Sequence, residues 1–110
     1  MAFDEELAGR LRAEVSGEPG LTEKRMFCGL AFLLDGHMAV SASSRGGMLL
    51  RVDPARTEEL VDGEHVNRFE MGGRRMDGWL HVDTGALGTD DALREWVALG
   101  VAYVRTLPPK

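Results

Sequence analysis

Apolar positions change period along the chain, and each change marks an element. Phe3, Leu7, Leu11 and Val15 recur every four residues, with Asp4, Glu5, Glu6, Arg10, Arg12 and Glu14 between them. That spacing predicts an amphipathic helix. Acidic groups in its first turn suit the positive end of the helix dipole, and Gly17, Pro19 and Gly20 end it. From Met26 to Leu34 the chain is apolar throughout, too short for a free-standing helix and interrupted by Gly29, and it reads as a strand. Asp35-Gly36 is the two-residue signal of a tight hairpin turn, so His37 to Ser41 is expected to return along that strand. Ser43 to Gly47 reads as a looser connection and Met48 to Val52 as a third strand. Asp53-Pro54 opens a short helix: Asp at the cap accepts free N–H groups, Pro at the first position gives up no needed bond, and Gly63 stops it. Two strands follow, His65 to Met71 and Trp79 to Val82, separated by Gly72-Gly73 and Asp77-Gly78. The last helix starts at the Thr89 cap with Asp90 and Asp91 in its first turn and runs to Thr106, before Pro108-Pro109 forbids more.

The order is helix, three strands, helix, two strands, helix. It predicts an α+β two-layer sandwich whose mostly antiparallel sheet is covered on one face. The apolar face of the last helix is too wide for one neighbour. Leu93, Trp96, Val97, Leu99, Gly100, Val101, Tyr103, Val104 and Leu107 span about 200° of the helix, roughly twice the stripe that covers a sheet. Such a helix needs two partners: the sheet and either the N-terminal helix or the same helix of a second subunit. The second choice would make the protein a homodimer.

Composition narrows the class. The 110 residues make one domain, residues 1–110, with no room for a second. The run from Met26 to Leu34 falls well short of the roughly 20 residues of a membrane helix, and the N-terminus is acidic where a signal peptide is basic. A cytoplasmic protein with no membrane contact is expected. The one cysteine forms no internal disulfide. The net charge of −5 argues against a dedicated nucleic-acid module, which relies on a basic patch.

Candidate chemistry adds little. Asp83-Thr84-Gly85-Ala86 resembles the active-site turn of retroviral-type aspartic proteases, but over four residues only. The helix that follows leaves no place for the sheet those enzymes need, so the segment reads as a strand end and turn. Cys28 sits in an apolar run, and pairing with His37 or His81 would be required for thiol chemistry. His37, His65 and His81 have no metal-ligand spacing. Gly46-Gly47 and Gly72-Gly73 read as turns, since neither leads into a helix as phosphate loops do. No catalytic residue, metal or cofactor is expected. Lys24-Arg25, Arg68 and Arg74-Arg75 lie on or near strands. They read as a solvated face matched by Glu23, Glu70 and Asp77. The alternative is a basic strand face on which Trp79 stacks single-stranded nucleic acid.

Several segments together resemble the TfoX/Sxy N-terminal domain family, named for bacterial competence regulators. They are Lys24-Arg25-Met26-Phe27-Cys28-Gly29-Leu30-Ala31-Phe32, Gly36-His37-Met38-Ala39-Val40, Leu50-Arg51-Val52, Met71-Gly72-Gly73-Arg74-Arg75-Met76 and Gly78-Trp79. Trp96-Val97, Gly100, Tyr103-Val104 and the closing Arg105-Thr106-Leu107-Pro108-Pro109-Lys110 complete the match. Cys28 stands where the family usually has glycine. The resemblance implies a fold similar to the secretion-chaperone-like sandwich and a stand-alone domain without the C-terminal helical domain of longer members. It also implies a non-enzymatic regulatory or protein-interaction role, with another protein, such as a transcription factor, as partner. Arg25, Arg74, Arg75, Trp79, Trp96 and Tyr103 are the candidate interaction surface. Direct nucleic-acid binding and a small hydrolase or thiol enzyme are the alternatives.

Overall fold

The computed structural model describes residues 5–26, 29–43, 46–71 and 73–108. Phe3, Cys28 and Gly72, given a helix face, a place in an apolar run and a turn by the sequence, lie outside them. Helices α1 (Glu5–Val15), α2 (Thr57–Leu60) and α3 (Asp90–Val104) accompany strands β1 (Leu21–Met26), β2 (Gly29–Leu34), β3 (His37–Ala42), β4 (Met48–Arg51), β5 (Val66–Met71) and β6 (Arg74–Val82). The sheet order is β1-β2-β3-β4-β6-β5, and every neighbouring pair is antiparallel. The α+β layering is as expected, with one strand more.

The extra strand comes from splitting the apolar run. Met26 ends β1 and faces Gly29, the first residue of β2, so the segment is a hairpin where one strand was expected. β1 carries Glu23, Lys24 and Arg25 exposed to solvent. It lies at the sheet edge, where charges discourage further pairing and no apolar alternation is required. The second departure is at Asp77-Gly78, read as a turn but lying inside β6. Gly78 takes φ +86° and the register with β5 shifts between Arg68 and Phe69, the mark of a β-bulge. By contrast, Asp35 and Gly36 both have positive φ, as the tight turn between β2 and β3 requires.

Register separates the two faces. Phe32, Val40, Leu50 and Leu80 stand opposite one another across four strands, as do Leu30, Ala42, Met48 and Val82. All eight are buried in one core with Leu7, Leu11 and Val15 of α1 and Leu93 and Val97 of α3. The alternate row, Ala31, Ser41, Leu49 and His81, points the other way. There Ala31, Met38 and Leu49 form a smaller cluster against which Leu33, Phe69 and Trp79 pack.

The wide face of α3 is shared between the sheet and α1. Ion pairs Arg10–Asp90 and Arg94–Glu14, each 3.4 Å, tie the helices side by side, with Trp96 and Val101 packed against the common core. Close approach to the sheet depends on Gly100: a Cβ there would lie 2.7 Å from Leu50 Cδ1 and 3.0 Å from the Ala39 carbonyl oxygen. Thr89 Oγ1 accepts the Ala92 N–H at 3.1 Å as the cap. At the other end Arg105 bonds Glu18 at 2.9 Å, the Pro19 carbonyl at 2.8 Å and Asp35 at 3.2 Å. Before β5, Asp53 accepts the Ala55 N–H at 2.9 Å and opens a 3-10 turn, Pro54–Arg56, that leads into α2. Among the described residues no helix is long and apolar enough to cross a membrane.

Candidate interaction surface

Two of the six candidate surface residues meet around a third side chain that the sequence did not single out. Arg51 closes β4, Trp79 stands opposite it on β6, and Tyr103 lies in the last turn of α3. The guanidinium carbon of Arg51 is 5.1 Å from the centroid of the Trp79 ring and 5.7 Å from that of Tyr103. Both distances suit cation–π attraction. All three residues are half-buried. Tyr103 also walls a cleft of about 240 Å³ between α3 and the segment after β4, with Val52, Leu60, Leu99 and Ala102 as its apolar lining and Asp53 and Arg56 at its polar side.

The other candidates are dispersed. Trp96, half-buried, packs against the core. Arg25 sits where β1 meets β2, and Arg74 where β5 meets β6. Tracing the antiparallel register through the sheet puts these hairpin ends at diagonally opposite corners. The Arg75 side chain lies outside the described residues. Part of the expected charge matching is present. Arg68 Nε donates to Asp77 Oδ1 at 2.8 Å, and Glu70 stands opposite Arg75 in register. Glu23 instead takes a two-pronged bond from Arg12 of α1 at 2.7 and 2.8 Å. That bond holds the Glu23 carboxyl below its ordinary pKa and raises that of Arg12.

A second polar cluster joins the ends of β5 and β6. Val66 and Val82 are paired, which brings their neighbours His65 and Asp83 together. His65 Nδ1 lies 3.4 Å from Asp83 Oδ2; a carboxylate only accepts, so this nitrogen carries the proton. Asp83 also accepts the Gly85 N–H at 3.2 Å and the Thr84 hydroxyl at 3.3 Å. The Gly85 N–H first, then the His65 ring N–H, keep its carboxyl below the ordinary aspartate pKa. The protease-like tetrapeptide is therefore the cap of a 3-10 turn, Thr84–Ala86. Asp62 accepts N–H groups from Glu64, His65 and Val66 at 2.8 to 2.9 Å, and these bonds, led by that of Val66, lower its pKa. The pairing of His65 with Asp83 was missed, although drawing the β5–β6 hairpin from its two strands would have placed them together.

The remaining histidines are each bonded to the backbone through Nε2. His37 Nε2 lies 2.7 Å from the Pro108 carbonyl oxygen and His81 Nε2 the same distance from that of Gly46. Among the described residues, no group of three or more His, Cys, Asp and Glu side chains is placed to hold a metal ion.

A family model for the TfoX N-terminal domain matches residues 14–103, from the end of α1 to the last turn of α3. The chain belongs to the TfoX N-terminal domain family. Among curated proteins and among solved structures, no match is found. The matched span takes in every strand of this TfoX N-terminal domain, the Arg51, Trp79 and Tyr103 assembly, and the Asp62, His65 and Asp83 cluster. Membership supports a regulatory, competence-related domain.

Proposed function

We propose that this TfoX N-terminal domain is a non-enzymatic cytoplasmic module that regulates by presenting a surface to another protein, a transcription factor being the first partner to test. The observation that carries the reading is family membership over residues 14–103. The chemistry fits it: the carboxylates of Asp62 and Asp83 and the rings of His37, His65 and His81 are engaged in bonds that fasten turns and strand ends. Direct nucleic-acid binding has less support, because Arg25 and Arg74 stand at opposite corners of the sheet instead of forming a continuous basic patch.

The test is capture of partners from native cytoplasm on the immobilised domain, followed by mass spectrometry. A specific protein retained through a salt wash is expected; no retained protein, with retardation of DNA at low salt, would turn the reading toward nucleic acid. Homodimerisation belongs to the same proposal. α3 leaves Ala98 and Ala102 exposed, a second copy would cover them, and light scattering at high micromolar concentration decides it. A clean monomer removes the dimer.

A further inference from the structure

We propose that Arg51, clamped between Trp79 and Tyr103, is the recognition point of a docking site for a peptide segment bearing a carboxylate next to a large apolar side chain. The inference deepens the protein-interaction reading and rests on it. A planar guanidinium has two faces and an edge. Here two rings lie 5.1 and 5.7 Å from its central carbon, which restrains its long side chain, and a guanidinium held in place without a carboxylate has the donors for a two-pronged bond to one. Among the described residues Arg51 makes no ion pair, although Arg10, Arg12, Arg56, Arg68, Arg94 and Arg105 each do. In a chain with 18 acidic against 13 basic groups, an arginine held half-buried against two rings without a carboxylate is an exception that a partner's acid would complete.

The surroundings choose the partner's chemistry. Tyr103 is shared between the clamp and the adjoining cleft of about 240 Å³, whose walls at Val52, Leu60, Leu99 and Ala102 are apolar. That volume suits one large side chain and falls below the usual range for a small-molecule pocket of about 300–1,000 Å³. Asp53 and Arg56 line the cleft, and Arg56 is already bonded by Glu59 at 2.8 Å, which among the described residues leaves Arg51 as the guanidinium beside it without a carboxylate. One unpaired guanidinium suits a singly charged carboxylate, and does not give a polynucleotide the several cations it needs.

The experiment is selection of a random-peptide phage library on the folded domain, followed by anisotropy titrations of the enriched peptide with a fluorescent label. Enriched peptides are expected to carry Asp or Glu beside Leu, Ile, Phe or Met. Arg51→Met and Arg51→Lys should each weaken binding at least about tenfold, the lysine because it keeps the charge but loses the planar fork and the stacking. The reciprocal change, Glu→Gln or Asp→Asn in the peptide, must produce the same loss on the unmodified domain, so a poorly folding variant does not shield the proposal. A library that yields no binder, peptides without an acid, or equal binding by Arg51→Met would overturn it. So would tighter binding when phosphoserine replaces the acid, or competition by single-stranded oligothymidylate. Cytoplasmic capture that survives Arg51→Met would sink this site alone, whereas absence of capture by the unmodified domain would sink the protein-interaction reading itself.

Discussion

The two faces of the sheet are built from the same strands but do different work. On the helix side, Phe32, Val40, Leu50 and Leu80 form a continuous row with no exposure at all. On the other side the row is Ala31, Ser41, Leu49 and His81, small or polar at three of four places and covered only by neighbouring side chains such as Phe69 and Trp79. Stability is therefore concentrated on one face, and the other is freer to vary. The sharpest test is Phe32→Ala, which should cost about 3–5 kcal/mol in a urea unfolding series. Leu49→Ala should cost less, near the low end for leucine truncation of about 2 kcal/mol, because Leu49 is buried in a smaller cluster whose neighbours Leu33, Phe69 and Trp79 are only partly buried. Equal losses would mean that the faces are equivalent.

A smaller loss should follow where the faces are joined at the bulge. Thr57 is 1% exposed; its hydroxyl donates to the Pro54 carbonyl at 2.9 Å and accepts the Gly78 N–H at 2.7 Å. Thr57→Val keeps the shape and leaves that buried N–H without a partner, at about 1–3 kcal/mol. Amide hydrogen exchange gives the local readout: Gly78 should lose protection while the centre of β3 keeps it. Unchanged protection at Gly78 would show that the hydroxyl does not anchor β6.

What the sequence revealed follows the same division. The Thr89 cap, the Asp53-Pro54 cap and the Asp35-Gly36 turn were legible because local hydrogen bonding and backbone preference decide them. β1 was hidden because an edge strand rich in Glu23, Lys24 and Arg25 shows no apolar alternation. The continuation of β6 through Gly78 was hidden because a glycine with positive φ serves a bulge as well as a turn. Trp79 and Tyr103 were chosen separately as surface aromatics. Arg51, which joins them, looked like an ordinary strand residue, since nothing local records which strands become neighbours. The wide face of α3 correctly called for two partners, but only packing shows α1 as the second.

Two glycines sharpen the contrast between the packed side of the helix layer and its outside. At Gly100 a Cβ would press against the Ala39 and Arg51 carbonyl oxygens at 3.0 and 3.2 Å, backbone atoms that cannot turn aside. Gly100→Ala gains about 1 kcal/mol of helix propensity but meets an overpacking cost of about 1–3 kcal/mol, so a net loss is expected. At Gly9, inside α1, a Cβ meets nothing within 4 Å, and Gly9→Ala should raise stability by up to about 1 kcal/mol. Thermal melts of the two variants should move in opposite directions. A rise for both would mean that α3 can lift off the sheet without loss.

The smallest effect expected is electrostatic and belongs to the exposed strand ends. N–H groups of Val66, Glu64 and His65 lower the pKa of Asp62, and those of Gly85 and His65 lower that of Asp83, each from an ordinary 3.8. A carboxyl with a lower pKa folded than unfolded stabilises the fold above its unfolded value, and that contribution disappears as pH falls through the folded value. Both groups face solvent, so the slope is shallow. Asp62→Asn keeps an oxygen able to accept the three N–H bonds but cannot carry the charge. Its urea midpoint should lie below that of the unmodified domain at neutral pH and converge with it on the acid side of 3.8. Parallel pH profiles would show that the bonds to Asp62 persist without favouring its charged form, and would confine the acid sensitivity of this corner to Asp83.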